Sequence, residues 1–329
     1  LHRGRIFAAC MAVQAALALL LVAATQGGFA TRGLIFGISI VLGLARAFQM
    51  PAQQALTPLL VPQALLARAV AVSSSGVQVA VIGGPALGGL LYTQGASTVY
   101  LTCAVLLVLS CALALAVHYR HQPATDSATW RTVLAGVEFV WRHKLLLGAT
   151  SLDLFAVLLG GATALLPIYA RDILHTGPQG LGLLRAAPAV GALAMSLVLA
   201  RWPLQRHVGH KLLAAVAVFG LATVVFGLSE HFFLSLLALA VTGAADNISV
   251  VTRQTLVQLE TPDTMRGRVA AVNSIFIGAS NQLGEFESGA TAALFGPVGS
   301  VVMGGVGTVL VAALWLRLFP ALARRDRMV

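Results

Sequence analysis

Charge is scarce in this chain of 329 residues: Asp, Glu, Lys and Arg make up only 10% of it, whereas hydrophobic residues make up 58%. A soluble globular domain carries about 25% charged residues. Here apolar windows of about 20 residues, the length that crosses a bilayer as a helix, recur along the whole sequence. The composition therefore indicates a membrane protein and leaves no room for a separate soluble domain.

Cysteine is also rare, and the motifs of common catalytic sites are missing. Cys10, Cys103 and Cys111 lie inside apolar runs, and their spacing fits neither a disulfide framework nor a metal site. No glycine-rich phosphate loop follows a strand pattern, and histidine is nearly confined to the segments between apolar runs. The sequence therefore predicts no metal, no cofactor and no enzyme activity.

Basic residues exceed acidic ones, which gives a net charge of +10. They are spread between the apolar runs, a pattern typical of cytoplasmic loops and not of a nucleic-acid surface. The motifs predicted for the cytoplasmic loops contain Arg3, Arg5, Arg68, Arg266 and Arg268. The opposite loops hold only Arg32 and Arg171. Because positive loops stay in the cytoplasm, both ends of the chain are predicted to be cytoplasmic.

Ten apolar spans are predicted as helices, because only a helix satisfies its own backbone hydrogen bonds segment by segment in lipid. Their ranges are 6–24, 34–50, 66–91, 98–117, 147–170, 180–200, 212–228, 232–252, 269–294 and 298–318. Between the fourth and fifth spans, a linker-like stretch precedes an amphipathic segment from Trp130 to Trp141. A helix of that kind lies in the plane of the membrane interface.

The region from Arg46 to Gly89 is repeated 200 residues later, from Asp246 to Gly289, without a gap. The matches include Gln54 with Gln254, Pro62 with Pro262, Arg68 with Arg268, Ser74 with Ser274, Gly84 with Gly284 and Gly89 with Gly289. Apolar bias alone does not easily place Gln, Pro and Arg in register. The repeat therefore predicts two halves built on one helical plan.

A weaker match pairs the entry to the first span, Arg3-Gly4-Arg5, with residues 208–211, VGHK, at the entry to the seventh. Spans two to four then correspond to spans eight to ten, and the fifth and sixth have no counterpart in the first half. The simplest account is a parent with twelve helices in two six-helix halves, whose first two helices precede Leu1.

This organisation resembles the major facilitator superfamily, whose two halves are related by an axis along the membrane normal. Arg3-Gly4-Arg5 resembles the end of its basic loop motif, and residues 84–89, GPALGG, match the GPxxGG core of its antiporter motif. Ala71 and Ala80 replace the earlier glycines of that motif. The small residues and the bend at proline predict a helix-packing hinge. Its members are Gly84, Pro85, Gly88 and Gly89.

The resemblance implies an all-α membrane protein with the major facilitator fold, in which ten of twelve expected transmembrane helices form two pseudo-symmetric bundles. The N-terminal bundle would cover residues 1–118, and the C-terminal six-helix bundle would cover residues 145–329. Residues 119–144 would form a cytoplasmic linker with the interfacial helix.

Three stretches are similar to bacterial exporters of the enterobactin-exporter type: residues 46–62, 164–174 and 261–274. This similarity implies a monomer in the bacterial cytoplasmic membrane that exports drug- or siderophore-like small molecules in exchange for protons. Its partners would be that substrate, protons and the lipid bilayer, without nucleic acid.

Ionisable residues inside the spans are the candidate working residues, because a charge in lipid is expensive unless it faces a cavity or a partner. The candidates for substrate or proton translocation are Arg46, Asp153, Asp246, Asn247, Arg253, Asn281, Glu285 and Glu287. By the resemblance, Asp153 would lie on a cavity-lining helix and bind a proton or a cationic group, or else serve as a structural carboxylate. Arg46 and Asp246 are repeat partners that would pair with each other or with residues outside this sequence.

Arg253 and the two glutamates leave alternatives open. Arg253 lies seven residues after Asp246, about 10 Å along one helix face, where a snorkelling role near the interface is favoured over substrate contact. Glu285 and Glu287 lie about 200° apart around their helix, so they cannot both face one cavity. The hypothesis is that at least one of them exchanges a proton during transport, with structural pairing as the alternative.

Other functional classes fit these observations less well. A membrane-embedded enzyme would need a dense site of His, Asp or Glu on neighbouring helices. A non-transporting receptor or scaffold would not need Glu285 and Glu287 in lipid. An importer fits every feature except the GPxxGG motif and the similarity to exporters.

Overall fold

The computed structural model describes residues 3–60, 66–116, 130–202 and 206–326. These residues form helices joined by short turns, with no β-strand among them, which confirms the predicted all-α class. The chain divides into two compact units, Leu1–Thr125 and Asp126–Val329.

The first unit contains four long helices. They are α1 (Arg3–Gln26), α2 (Arg32–Leu60), α3 (Leu66–Tyr92) and α4 (Ala96–Ala116). α1 packs against α2 and α4 through small side chains such as Ala8, Ala15 and Ala24, which are buried. Because lipid-exposed helices gain little by hiding apolar surface from one another, close packing of small residues and buried hydrogen bonds hold them together. Gln14 supplies one such bond, from its side-chain amide to Gln49 Oε1 at 2.7 Å.

The second unit contains the remaining helices. They are α5 (Trp130–Arg142), α6 (Lys144–Leu159), α7 (Leu166–Ile168), α8 (Pro178–Arg201), α9 (Val208–Leu228), α10 (Phe232–Glu260), α11 (Asp263–Leu318) and α12 (Pro320–Ala323). A 3₁₀ turn at Ala162–Leu165 precedes α7, and a π turn at Tyr169–Ile173 follows it. Tyr169 is buried against Phe226 and donates its hydroxyl proton to the carbonyl of Gly227 at 2.9 Å.

The repeat is visible in the helix bounds. α2 and α10 are both 29 residues long, and they begin and end at positions that differ by 200. Both extend about two to three turns beyond the C-terminal ends of the apolar spans predicted for them. The helical plan of the first copy therefore recurs in the second.

Eight helices in the described part of the chain are long and apolar enough to cross a membrane, so the count of ten stays a prediction. α11 contains both of the last two predicted spans in 56 residues and is broken at Gly296, whose φ of 76° and ψ of 164° are not helical. Pro297 follows at once, so the boundary predicted between 294 and 298 falls on this break. Glycine is suited to this position because a positive φ is strained for residues with a Cβ.

The amphipathic segment forms α5, as predicted, and it packs against α11 within the second unit. Val140 is buried with Val269 and Val272 of α11, and Gly136 lies against the backbone of Arg268. Leu134 and Trp141, which lie seven residues apart on one side of the helix, are exposed. An exposed Trp on a short amphipathic helix suits the membrane interface.

The loop-motif arginines lie in or near the first turns of α1, α3 and α11. α1 and α11 begin before the apolar spans predicted for them, whereas Arg68 lies inside the span predicted over 66–91. Arg5 and Arg268 are exposed, and the side chains of Arg3, Arg68 and Arg266 lie outside the described residues. α3 runs unbroken through Pro85. A Cβ added at Gly84 or Gly88 would meet no described atom within 4 Å, and the hinge of Gly84, Pro85, Gly88 and Gly89 stays a prediction.

Close glycine contacts occur in the second unit. A Cβ at Gly243 of α10 would collide with the carbonyl oxygen of Pro188 in α8, and one at Gly191 of α8 would collide with that of Ala240 in α10. Such residues let helix backbones approach each other in membranes. They set the spacing of α8 and α10.

We expect Gly243→Val to force α8 and α10 apart and to lower the free energy of unfolding by about 1–3 kcal/mol or more, as overpacking does in tight cores. Thermal unfolding of the purified protein in detergent measures this. Gly278→Val is the matched control, because a Cβ at Gly278 meets no described atom within 4 Å. Equal unfolding temperatures for the two variants would contradict the packing role of Gly243.

Candidate functional site

A buried ion pair joins α6 to α10. Arg253 Nη1 lies 3.0 Å from Asp153 Oδ2, and the side chains of Arg253 and Asp153 are only 2% and 7% exposed. Arg253 Nη1 also donates to Asn273 Oδ1 of α11 at 3.3 Å. Arg253 Nε is buried without a hydrogen-bond partner among the described residues. One guanidinium therefore ties three helices together while leaving part of its donor capacity unused.

The position of Arg253 corrects the sequence interpretation of this residue. A snorkelling arginine keeps its charged head in water, whereas this head is enclosed by protein. The physical reason is Asp153: removing a charge from water costs several kcal/mol per ion, and an opposite charge in contact offsets that cost. Seven-residue spacing placed Arg253 on the face of Asp246 but could not identify the partner on α6.

Asp246 lies beside this pair. Its carboxyl group interacts electrostatically with both Asp153 and Arg253. Asp246, Asp153 and Ser249 line a small cavity of about 10 Å³, which is about the space that one water molecule needs. Asp246 also lines a larger cavity.

The larger cavity has a volume of about 200 Å³ and lies within the second unit. Its polar lining consists of Thr163, Thr223, Thr242, Asp246, Asn281 and Glu285. The rest of its wall is apolar or glycine and includes Phe219, Phe226, Leu239 and Pro188. A largely apolar concave wall with a few convergent polar groups is typical of a small-molecule site.

The end of α6 shapes this cavity, and the helix predicted over 147–170 is interrupted here. α6 ends at Leu159, and Gly160 and Gly161 lead into the 3₁₀ turn. Phe219 of α9 lies so close to Gly160 that a Cβ there would collide with its ring. Non-helical backbone at membrane depth is tolerated where protein or a cavity surrounds it. Consecutive glycines followed by Pro167 were the sequence signal for this break.

Hydroxyl groups of α11 bond to backbone carbonyls near the breaks. Ser288 donates its hydroxyl proton to the carbonyl of Gly161 at 3.0 Å. Ser300 donates to the carbonyl of Ser288 at 3.0 Å, and its hydroxyl lies 2.7 Å from that of Thr291. These bonds cross the kink at Gly296, so the two halves of α11 fold back on each other near the end of α6.

The structure separates the two glutamates. Glu285 lines the larger cavity together with Asn281 and Asp246. Glu287 is half-buried and is not among the residues that line this cavity. The backbone carbonyl of Glu287 accepts a bond from Thr291 at 2.9 Å. The polar stripe of Glu285 and Asn281 is thus the one that faces the cavity.

Two candidates lie elsewhere. Asn247 accepts a hydrogen bond from Ser196 of α8 at 3.2 Å through its Oδ1, so its side chain links α10 to α8. Arg46 is exposed on α2 in the first unit, and its pairing with Asp246 stays a prediction.

Sequence reasoning missed several residues that build the site. Asn273 completes the surroundings of Arg253, and Thr223 and Thr242 contribute hydroxyls to the cavity. Each is a small polar residue inside an apolar span, which is a weak signal because such residues also bond to their own helix. Their role follows only from where the helices pack.

Comparison with known proteins identifies the family and agrees with the fold. A family model for a transmembrane secretion effector matches residues 1–327. The chain is 29% identical to the enterobactin exporter EntS of Citrobacter koseri over 293 residues, which cover 86% of this chain and 68% of the exporter. It is 27% identical over 295 residues to YjbB of Bacillus subtilis, an uncharacterized MFS-type transporter, with coverage of 87% and 70%.

Solved transporter structures share the fold at low sequence identity. A bacterial homolog of the human lysosomal transporter Spinster, in an inward-facing and unoccupied conformation, has a TM-score of 0.71 at 14% identity, covering 98% of this chain and 84% of that chain. The nucleoside transporter NupG has a TM-score of 0.70 at 14% identity, with coverage of 97% and 84%. By family, relatives and fold, this chain belongs to the transmembrane secretion effector family of major facilitator superfamily transporters.

Proposed function

We propose that the protein exports small molecules of drug- or siderophore-like character in exchange for protons, by alternating access in the bacterial cytoplasmic membrane. Family membership supports transport, and the enterobactin exporters among its relatives support the outward direction. In this proposal both ends of the chain are cytoplasmic and the transporter works as a monomer. The cavity of the second unit forms part of the substrate path.

The observation that carries the proton coupling is the buried pair of Asp153 and Arg253 beside Asp246. When all three groups are ionised, their charges sum to one negative charge. Uncompensated charge inside a membrane protein is costly, so one proton brings the cluster to neutrality. A cluster with this balance suits the exchange of one proton.

The two cavities offer a route for that proton. Asp246 lines both, so a proton taken up from the larger cavity at Asp246 is separated from Asp153 by a space the size of one water. Protonation of Asp153 would weaken its ion pair with Arg253. The guanidinium of Arg253 could then move to other contacts, because its Nε has no partner among the described residues. Loss of that pair would loosen the joint between α6 and α10.

Alternating access would then follow from charge balance. With Asp246 ionised, the cluster favours a state in which the cavity reaches water or a cation. With Asp246 protonated, the neutral cluster tolerates closure. Coupling requires only that the two conformations differ in their affinity for the proton and for the substrate.

We expect inverted membrane vesicles that contain the full chain to accumulate substrate when their interior is acidic, because an exporter then moves substrate inward as protons leave. Enterobactin and ethidium serve as probes of the siderophore-like and drug-like classes. Vesicles with the gradient dissipated by an uncoupler are the control. Accumulation in right-side-out vesicles, coupled to inward movement of protons, would instead identify an importer.

The hypothesis that Glu285 or Glu287 exchanges a proton during transport is tested by comparing Glu285→Gln, Glu287→Gln and the double variant in the same vesicles. We expect Glu285→Gln to equilibrate substrate but to lose its accumulation against a gradient, because Glu285 lines the cavity with Asp246. Glu287→Gln should keep accumulation. If the double variant still drives substrate uphill at the parent's rate, neither glutamate carries the proton, and Asp246 and Asp153 remain as carriers.

The ion pair itself is tested by a double-mutant cycle. Arg253→Gln leaves the carboxylate of Asp153 buried without its partner, which costs about 3–5 kcal/mol in comparable cases. We expect the double variant Asp153→Asn, Arg253→Gln to unfold at a higher temperature than Arg253→Gln alone, measured by thermal unfolding in detergent. The exposed pair Arg171–Asp172, at 3.6 Å, is the control, since exposed pairs contribute about 0–1 kcal/mol. Additive losses at Asp153 and Arg253 would contradict a coupled pair.

A further inference from the structure

The larger cavity is rich in hydrogen-bond acceptors and poor in donors. The hydroxyl protons of Thr223 and Thr242 are already donated within their own helices, to the carbonyls of Phe219 at 2.9 Å and Leu239 at 2.7 Å. The carboxylates of Asp246 and Glu285 only accept hydrogen bonds when they are ionised. Asn281 and Thr163 supply the other side-chain donors. A ligand that brings its own donors is therefore favoured.

The charge of this wall has one sign. Asp246 and Glu285 line the cavity, and no Lys or Arg from the described ranges does so. The nearest cation identified, Arg253, is held by Asp153 and does not line the cavity. Because charges interact more strongly where water is excluded, an anionic head group would be repelled here and a cationic one attracted.

The apolar wall suits the body attached to such a head group. Phe219 and Phe226 line the cavity near Val157 and Leu239. Aromatic faces attract a desolvated cation by roughly 0.5–2 kcal/mol. A volume of about 200 Å³ is smaller than the pockets that enclose whole drug-sized ligands, about 300–1,000 Å³. This cavity therefore holds a head group and its adjoining ring or chain.

We propose that the substrates of this transporter are amphiphilic organic cations, with an ammonium or guanidinium group held by Asp246 and Glu285 and an apolar body against Phe219 and Phe226. The inference rests on the transport function proposed above and names its substrate class. The cation and the proton compete for the same carboxylates, so taking up one releases the other.

Competition of this kind predicts the direction of pH dependence. Lowering the pH protonates carboxylates and weakens their attraction for a cation. The ionisable groups near Asp246 are Asp153 on α6, Arg253 on its own helix and Glu285 on α11. Of these, Arg253 stays charged throughout, and protonation of any of the three carboxyls makes the site less negative. Cation affinity should therefore fall as the pH falls.

Three probes with the same phenylbutyl body test the substrate class: 4-phenylbutylammonium, 4-phenylbutanol and 4-phenylbutanesulfonate. Equilibrium dialysis against the purified full chain in detergent, corrected with protein-free micelles, measures their binding. We expect the ammonium to bind at least about tenfold more tightly than the other two, which corresponds to about 1.4 kcal/mol. Its affinity should weaken at lower pH.

Variants of the two carboxylates test where the ammonium probe binds. Asp246→Asn and Glu285→Gln should each weaken ammonium binding by about tenfold or more, in line with the loss of one charge-assisted hydrogen bond. Glu230→Gln makes the same charge change at an exposed position between α9 and α10, and should bind like the parent. Glu285 is itself exposed, so its variant keeps the test valid if Asp246→Asn folds poorly.

The outcomes separate this inference from the transport proposal. Equal or tighter binding of the sulfonate or the alcohol, or no binding of the ammonium, overturns the cation class while the vesicle experiment with enterobactin still stands. Unchanged ammonium binding in both carboxylate variants also overturns it. Selective ammonium binding by a chain that accumulates no probe in vesicles supports the site and rejects the transport proposal.

Discussion

Neutralising charge away from water is the constraint on which the second unit depends. Arg253 is almost fully enclosed, and it can remain so because Asp153 is in contact with it and Asn273 accepts one of its protons. These contacts come from α6, α10 and α11. The packing of these three helices and the neutralisation of the Arg253 charge therefore depend on each other. Removing either charge leaves the other exposed to the low-dielectric interior.

The same constraint applies to the backbone. Where α6 stops at Gly160 and where α11 breaks at Gly296, peptide groups lose their helical partners. Ser288 and Ser300 supply hydroxyl bonds near these breaks. Non-helical backbone at membrane depth is tolerated where protein or a cavity surrounds it, as at the end of α6. Glycine at the breaks removes the side chain that would otherwise strain the turn or displace Phe219.

Charge and cavity meet at Asp246. Asp246 lines both the larger cavity and the small cavity beside the Asp153 pair. In the proposed mechanism, occupancy of the cavity changes the charge of the cluster, and the charge of the cluster decides which conformation is favoured. A transporter needs such a link because a ligand shifts a conformational equilibrium only through its different affinity for the two states.

Composition, apolar periodicity and the 200-residue repeat were enough to determine the class of fold and the positions of most helices, and the resemblance to the major facilitator superfamily indicated the family. These features reflect local physics: a helix in lipid satisfies its own backbone hydrogen bonds, and its length follows from the thickness of the bilayer. The matched bounds of α2 and α10 show how far a repeated sequence determines a repeated helix. Only the tertiary structure decided that Arg253 pairs with Asp153, that Glu285 faces the cavity while Glu287 does not, and that α6 ends at two glycines. Those outcomes depend on which side chains of different helices come within hydrogen-bonding distance, and no spacing along a single helix encodes that.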